Sequence, residues 1–291
     1  MKLVTYEQDG SRRFGALRND GIVDLTANYP DAVAFLEAGD EASARSAVDS
    51  AAGTVPLDRV KLCTPVPNAR KLVCAASNYS EHIREGGGEF PGKERMTPWI
   101  FLKPASTTLI GPGDPIVLPP SATQVDWECE LAAVIGKPAS SVSADEALDH
   151  VAGYTIVNDI SERSLRVDID REDREWDPFF DWLQGKWFDT FAPAGPCLAL
   201  KDEIPDPQGV HITLSVNGET KQDGSSAQMI HTVAELVAWS SRMMTLEPGD
   251  IVATGTPSGV GSASGQFLQP GDEVVCEIEG IGVLRNPVVK G

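Results

Sequence analysis

Short β-branched and alternating apolar runs outnumber helical patterns along this chain, which predicts a strand-rich fold. In the first 27 residues, Asp-Gly and Asn-Asp-Gly turns separate three predicted strands: Lys2–Tyr6, Phe14–Leu17 and Ile22–Leu25. A Pro-Gly-Asp turn recurs before three β-branched runs, at residues 112–114, 248–250 and 270–272. Proline presets the first turn position and glycine supplies positive φ at the next, so each copy predicts the start of a strand.

Helical signals are fewer. The Ala-rich segment Asp31–Ala52 predicts one helical stretch. Two capping boxes, Ser143 with Glu146 and Thr232 with Glu235, predict the starts of two more helices. A few helices among many strands indicate a mainly β or α+β fold.

A linker with three prolines, residues 55–68, separates the first strands and helix from the rest of the chain. Prolines in such a stretch favour an irregular connection over a strand or helix. We therefore predict a small N-terminal α+β domain at residues 1–66 and a larger domain at residues 67–291.

Three carboxylates alternate with apolar residues in the segment 124–136. Because strand side chains repeat every two residues, one face would carry Val125, Trp127, Cys129 and Leu131, and the other Asp126, Glu128 and Glu130. Like charges stacked on one face repel one another, and water around an exposed face would relieve that repulsion. A solvated charged face is therefore one interpretation, and a cation site is the other.

A second strand favours the cation site. Residues 151–159 form an apolar run that ends in Asn158 and Asp159, and a run this apolar predicts a strand buried on both faces. Its terminal carboxylate could meet Glu128 and Glu130 around one ion. Carboxylate ligands without histidine or cysteine select a hard cation, Mg²⁺ or Mn²⁺, with Ca²⁺ as a further possibility in crystals.

Composition narrows the class of partner. The formal net charge of −19 disfavours nucleic acid and anionic membranes as partners. Five scattered cysteines without a C-x-x-C pair indicate reduced thiols. The N-terminus turns polar at once and no apolar run approaches the roughly 20 residues of a membrane span, so we expect a cytoplasmic protein.

Six stretches of the chain resemble the fumarylacetoacetate hydrolase family, in particular its acylpyruvase-like branch. They occur in the same order as in the family. They are Asn78–Glu85, Phe101–Pro104, Asp126–Glu130, Gly153–Asp159, Gly185–Phe191 and Thr254–Gly261. The resemblance covers about residues 70–291. It implies a mixed β-sandwich or β-roll core, usually in a homodimer.

The resemblance also implies roles for individual residues. The Glu-x-Glu pair and later Asp of the family correspond to Glu128, Glu130 and Asp159, which would bind the metal. The remaining implied site residues are His82 and Glu85 of a lid, the active-site Lys186, and Arg163, Arg166, Tyr79 and Thr256 at the substrate.

Three departures from the family fall in the substrate region. Ala76 and Ser77 precede Asn78, where the family usually has a glycine, and Arg166 stands where many members have glutamine. An aromatic segment, Asp168–Trp182, separates the arginines from Lys186. The family's substrates therefore do not transfer directly to this chain.

The spacing of the candidate residues suggests their chemistry. His82 and Glu85 stand at i and i+3, so on a helix the carboxylate would orient the imidazole and raise its basicity. The glycines that follow could let this segment order as a lid. If helical, Arg163 and Arg166 could clamp a distal carboxylate, and the alternative is pairing with Asp168 or Glu162.

The leading hypothesis is metal-dependent hydrolysis of a C–C bond in an acylpyruvate or another β-diketo or 2-oxo acid. Lys186 would stabilise the departing enolate. Because the same enolate serves other reactions, an oxaloacetate-type decarboxylase or a keto–enol or double-bond isomerase is the close alternative. A non-catalytic dimeric member of the family is a more distant one.

Overall fold

The computed structural model describes residues 1–166 and 170–291. The strands within these ranges are β1 (Lys2–Gln8), β2 (Ser11–Arg18), β3 (Gly21–Asp24), β4 (Val55–Pro56), β5 (Lys61–Leu62), β6 (Leu72–Ala76), β7 (Trp99–Lys103), β8 (Leu109–Ile110), β9 (Ile116–Leu118), β10 (Val125–Asp126), β11 (Cys129–Ile135), β12 (Val151–Asn158), β13 (Ser161–Glu162), β14 (Ala192–Leu200), β15 (His211–Val216), β16 (Glu219–Ser225), β17 (Ile251–Ala253), β18 (Glu273–Ile278) and β19 (Gly282–Lys290). The helices are α1 (Ala32–Ala38), α2 (Glu41–Ser50), α3 (Ser80–Glu85), α4 (Ala105–Thr108), α5 (Ala144–Ala147), α6 (Asp177–Gln184), α7 (Val233–Met243) and α8 (Gly261–Ser264). None of the helices described is both long and apolar enough to cross a membrane.

A mixed 12-stranded sheet organises the described fold. Its order is β4-β3-β2-β1-β14-β12-β11-β17-β6-β7, with β5 beside β1 and β8 beside β14. A second sheet of 5 strands has the order β16-β15-β18-β19-β9, and β10 pairs with β13. The predicted α+β class with mixed sheets is confirmed.

Strand β11 lies between two hydrophobic cores. Leu131 and Ala133 pack into a core that also contains residues of β15 and β18 from the second sheet. Ala132 and Val134 pack into the other core, which α1 covers. Asp126, Glu128 and Glu130 are themselves buried. They therefore do not form a solvated charged face, and that interpretation was wrong.

The N-terminal segment extends the large sheet. β1 runs antiparallel to β14, with Leu3 opposite Leu198. Leu3 and Phe14 belong to the same core as Leu198 and Ala132. The boundary near residue 66 stays a prediction, but the strands on either side of it share one sheet and one core.

The segment Asp31–Ala52, predicted to be helical, contains two helices. α1 ends at Gly39, whose φ of 61° lies in the left-handed region that suits glycine. Asp40 then caps α2, since its side chain accepts a hydrogen bond from the Ser43 N–H. The Gly-Asp pair therefore stops one helix and starts the next.

The other local predictions are confirmed. Both capping boxes are formed, at the starts of α5 and α7. Each of the three Pro-Gly-Asp turns precedes a strand, namely β9, β17 and β18. These signals succeed because each depends on a few consecutive residues.

Leu3→Ala tests the shared core. Leu3 is fully buried, so its truncation should lower the free energy of unfolding by about 2–5 kcal/mol. Urea unfolding followed by circular dichroism should show one transition, shifted as a whole. Glu7→Ala, at an exposed position of the same strand, should change stability little. Two separable transitions, of which Leu3→Ala moves only one, would contradict the shared core.

Candidate metal and substrate site

Glu128, Glu130 and Asp159 form a buried cluster of carboxylates. One oxygen from each lies within 4.8 Å of the others. Strands β11 and β12 are antiparallel neighbours with Cys129 opposite Asn158, so the residues flanking these two meet at one end of the sheet. The Asp159 N–H also donates to the Glu128 carbonyl at 2.9 Å. The sequence-predicted metal residues therefore lie together.

Asp126, the third carboxylate of the predicted strand face, has a different environment. Its side chain accepts hydrogen bonds from the backbone N–H groups of Trp127, Gly261 and Ser262. It also pairs with Arg163, whose Nε lies 2.9 Å away. Asp126 therefore connects β10 to the start of α8.

Lys186 lies between two of the clustered carboxylates. Its Nζ is 2.7 Å from Asp159 Oδ2 and 3.2 Å from Glu128 Oε2. It also donates to Ser161 Oγ at 2.8 Å. Burial by itself would lower the pKa of Lys186, but the charges of Asp159 and Glu128 outweigh it and raise the pKa. The side chain is therefore an ammonium ion at neutral pH.

Lys103 is a site residue that the sequence analysis missed. It ends β7, is buried, and places its Nζ 2.5 Å from Asp159 Oδ1. The carbonyls of Ile160 and Phe191 accept its other hydrogen bonds, at 2.9 and 2.6 Å. The sequence offered one signal, because Lys103 ends the apolar run Trp99–Lys103. A lysine buried in such a run needs a partner for its charge.

Burial and charge act differently on the two glutamates. Burial opposes ionisation of Glu128, but Lys186 and Arg163 outweigh it and lower the pKa to about 2. For Glu130, burial and the charges of Asp159 and Glu128 raise the pKa well above its ordinary value. Glu130 accepts a hydrogen bond from the Gly255 N–H at 2.8 Å, and in the part of the chain that the structure describes it has no ion pair.

This imbalance suits a divalent cation. A buried carboxylate without a cationic partner is costly, and an ion held by all three residues would remove the repulsion among them. The donors are all oxygens, which fits hard ions such as Mg²⁺ or Mn²⁺. Glu128, Glu130 and Asp159 could therefore hold a divalent metal ion.

His82 and Glu85 are neighbours on α3, as their spacing predicted. Nδ1 of His82 lies 2.8 Å from Glu85 Oε1, and the carboxylate accepts, so Nδ1 carries the proton. The other oxygen of Glu85 accepts from the Gly259 N–H at 2.8 Å. Glu85 thus fixes the imidazole against the Thr254–Gly261 loop and leaves Nε2 as the basic nitrogen.

A cavity of about 50 Å³ lies among His82, Glu128 and Lys186. It is lined by Ala75, Ala76, Ser77, His82, Phe101, Glu128, Arg163, Trp182, Lys186 and Thr256. A larger cavity, of about 720 Å³, lies beside α1 and the end of β14, among residues that include Phe35, Arg70 and Lys201. The smaller cavity is the candidate site, because His82, Lys186 and Glu128 of the carboxylate cluster line it.

The two arginines are not on one helix, as the clamp hypothesis required. Arg163 follows the short strand β13 and forms ion pairs with Asp126 and Glu128. Arg166 is exposed and pairs with Asp173 at 2.9 Å. Arg163 therefore lines the cavity with its charge already engaged, and the structure does not bring Arg166 beside it.

Glu162, one of the two alternative partners of the arginines, does not pair with Arg163. Glu162 instead accepts hydrogen bonds from the backbone N–H groups of Thr123, Gln124 and Ser164. Asp168 lies outside the described residues. Arg163 instead pairs with Asp126 in β10 and with Glu128 just before β11, both distant in sequence.

Tyr79 and Thr256 differ in their access to the cavity. Tyr79 is buried, and burial raises the pKa of its hydroxyl. Within the described ranges that hydroxyl has no hydrogen-bond partner. The Thr256 hydroxyl lines the cavity, donates to the Cys129 carbonyl at 2.9 Å and accepts from Gln222 at 2.8 Å.

Part of the aromatic segment reaches the site. The Lys186 Nζ lies 5.1 Å from the Phe101 ring centre and 5.6 Å from that of Trp182. The two rings pack edge to face, with centres 5.3 Å apart. They form an apolar wall that favours the lysine cation through their faces.

The family described as fumarylacetoacetate (FAA) hydrolase C-terminal matches residues 71–289, most of the chain. The chain belongs to the fumarylacetoacetate hydrolase family. The expectation drawn from the six sequence stretches is confirmed.

Members of this family with different activities resemble the chain over nearly its full length. The mitochondrial oxaloacetate tautomerase fahd2 of Xenopus laevis is 40% identical over 99% of this chain and 90% of its own length. A 5-carboxymethyl-2-hydroxymuconate delta-isomerase from Mycobacterium smegmatis superposes with a TM-score of 0.78 at 32% identity, covering 100% of both chains. Maleylpyruvate hydrolase from Sphingobium sp. SYK-6, solved with manganese(II) and pyruvate, has a TM-score of 0.81 at 29% identity, again over 100% of both chains.

Glu130→Gln tests the cation cluster. The change keeps the size of the side chain but removes one anionic ligand, so affinity for Mg²⁺ and Mn²⁺ should fall by at least tenfold in a calorimetric titration. Without metal, the variant should be as stable as the wild type or more so, because repulsion among the carboxylates is relieved. Unchanged affinity would exclude Glu130 as a ligand.

The pH dependence of stability should follow from Glu130. Its pKa is raised in the folded state, so its contribution to the stability of the metal-free protein is complete below the unfolded pKa of about 4.3. That contribution is lost as the pH rises through the folded pKa. In EDTA, the melting temperature of the wild type should fall relative to Glu130→Gln with increasing pH, and added Mg²⁺ should reverse the difference. Parallel pH profiles would contradict this assignment.

Proposed function

We propose that this chain is a divalent-metal-dependent enzyme that moves a proton on a short 2-oxo acid, with keto–enol interconversion of an oxaloacetate-like substrate as its main reaction. The observation that carries the proposal is the placement of His82, the Lys186 ammonium and Glu128 around one small cavity, with Glu130 and Asp159 clustered beside Glu128. A base and a cation on either side of a 2-oxo acid are what enolisation requires.

Glu128, Glu130 and Asp159 are the proposed ligands of the ion, with Mg²⁺ or Mn²⁺ as the preferred metal. When bound, the ion would draw electrons from the carboxylate and keto oxygens of the acid and acidify the neighbouring C–H bond. Thr256 is the proposed side-chain contact for the substrate within the same cavity. Arg166 and Tyr79 receive no support from their positions.

His82 supplies the base in this mechanism. Its Nε2 takes a proton from the carbon next to the keto group, while Glu85 holds Nδ1 and stabilises the imidazolium that forms. Lys186 stabilises the negative charge that develops on the keto oxygen. Return of the proton to that oxygen gives the enol, and its return to carbon gives the keto form.

The size of the cavity favours a short acid. Its volume is about 50 Å³, a few times the roughly 10–15 Å³ that one water needs. Phe101 and Trp182 limit it on one side, and Arg163 is engaged by two carboxylates. The similarity to an oxaloacetate tautomerase over 99% of the chain supports the same choice.

Hydrolysis of an acylpyruvate is the second candidate. His82 and Glu85 could instead activate water, whose oxygen would attack the distal carbonyl. The C–C bond would then break and leave the pyruvate enolate beside Lys186. The likeness to a maleylpyruvate hydrolase supports this reaction, and decarboxylation could use the same enolate. The intact set of His82, Lys186 and three carboxylates argues against a non-catalytic role.

His82→Ala tests the proposed base, and the products of the wild type distinguish the two reactions. It should reduce kcat for oxaloacetate tautomerisation, followed by loss of enol absorbance, by about 10²–10⁴, while metal affinity stays unchanged. His211→Ala, an exposed histidine paired with Asp223, is the matched control. Products from oxaloacetate and from acylpyruvates should be identified by mass spectrometry. Rapid acylpyruvate cleavage without tautomerisation by the wild type would favour the hydrolase.

We also propose a homodimer in a reducing compartment such as the cytoplasm. Large apolar side chains are exposed on the edge strand β7, on α6 and on the segments beside α6: Trp99, Leu102, Trp176, Phe179, Phe180 and Trp187. An exposed apolar face along a sheet edge suits association with a second copy. The cysteines of the described residues are free thiols.

Light scattering after gel filtration tests this assembly. The wild type should have twice the mass of one chain, and Phe180→Glu should shift it toward the monomer because a charge would be buried in the contact. Met243→Glu, at an exposed apolar position outside this face, should leave the mass unchanged. A monomeric wild type at micromolar concentration would contradict the proposal.

A further inference from the structure

Gln222 is fully buried although it lies on β16, an edge strand whose other residues are exposed or partly exposed. Its amide reaches from the second sheet to the end of the large one. Oε1 accepts from the Cys129 N–H at 2.9 Å. Nε2 donates to Thr256 Oγ1 and to the Pro257 carbonyl, both at 2.8 Å.

These partners determine the orientation of the amide. The Cys129 N–H can only donate and the Pro257 carbonyl can only accept, so exchanging the amide oxygen and nitrogen would break both contacts. The Thr256 oxygen must then accept from Gln222. Its single hydrogen is left for the Cys129 carbonyl, which lies 2.9 Å away.

Beside Cys129, the side chains of Gln222 and Thr256 make the backbone hydrogen bonds that a neighbouring strand would otherwise make. On one side, β11 pairs with β12 as far as Cys129. On the other side, its pairing with β17 ends at Ala132. Beyond that point, Thr254 binds the Leu131 carbonyl through its N–H and its hydroxyl. Gln222 and Thr256 then hold the N–H and the carbonyl of Cys129.

Cys129 lies between two proposed metal ligands. Its two neighbours along the chain are Glu128 and Glu130, so fixing both of its peptide groups fixes the spacing of their carboxylates. We infer that Gln222 is a positioning residue for the metal site and for the Thr256 hydroxyl. This inference rests on the metal role proposed above for the three carboxylates.

The physical reason is the cost of the alternative arrangement. Without the amide, the Cys129 N–H and the Pro257 carbonyl would be buried without partners, and the chain would shift to reach others. A shift at Cys129 moves both glutamates. Residues that orient metal ligands without binding the metal themselves typically change the metal affinity by about 10–100-fold when they are removed.

Gln222→Met tests the inference, because methionine has a similar length but makes none of the three hydrogen bonds. The readout is the affinity of the purified full chain for Mn²⁺ alone, measured by calorimetry without substrate. We expect a loss of about 10–100-fold. Gln222→Asn, which keeps the amide but shortens the side chain, should also weaken binding and serves if the methionine variant does not fold.

Gln208→Met is the matched control. Gln208 also makes three side-chain contacts, with the Ser226 carbonyl, Met229 Sδ and the Val233 N–H, but none with the metal strand. The melting temperature of Gln208→Met should fall, and its affinity for Mn²⁺ should stay within twofold of the wild-type value. Equal Mn²⁺ affinities of the Gln222 and Gln208 variants would overturn the positioning role. A wild type that binds no Mn²⁺ would overturn the proposed metal role and this inference with it.

Discussion

Repulsion among three buried carboxylates is the constraint on which this structure depends. Glu128, Glu130 and Asp159 approach one another where water cannot screen them. The surrounding elements each bring a compensating group to that point. Lys103 ends β7, Lys186 follows α6, Arg163 follows β13, and the Gly255 N–H follows β17.

The compensation is complete for two of the carboxylates and incomplete for the third. Glu128 and Asp159 have ion pairs, whereas Glu130 has a backbone N–H. The fold can therefore form before an ion arrives, but it retains a buried carboxyl group that has no cationic partner among the described residues, which favours binding of an ion. Since Lys186 contacts both Glu128 and Asp159, its ammonium would lie beside the ion. A substrate oxygen there would face two positive centres.

Features encoded within a few consecutive residues could be predicted from the sequence. Capping boxes, Pro-Gly-Asp turns and the His82–Glu85 spacing all have their partners nearby in the chain. The Ala-rich segment is helical as predicted, but its composition does not reveal that Gly39 ends one helix and Asp40 caps the next. The resemblance of the Glu-x-Glu motif to the family predicted the metal cluster. The strand pattern alone left open whether these carboxylates form a solvated face or a cation site.

Groups whose partners are distant in the sequence could not be predicted in this way. Although Lys103 ends an apolar run, nothing near Lys103 or Gln222 in the sequence indicates Asp159 or Cys129 as their partners. The family resemblance assigned Arg163 to the substrate, whereas in the structure it pairs with Asp126 and Glu128, which lie 37 and 35 residues earlier in the chain. Tertiary pairing decides the roles of such residues.

The position of β17 in the large sheet has a consequence for biosynthesis. This strand, at Ile251–Ala253, inserts between β11 and β6, which are made more than a hundred residues earlier. Until β17 has emerged from the ribosome, β6 and β11 each expose an unpaired apolar edge. Such edges promote aggregation. The nascent chain would therefore depend on chaperones or rapid completion, and the loop that follows β17 and carries Thr256 would be among the last parts of the site to form.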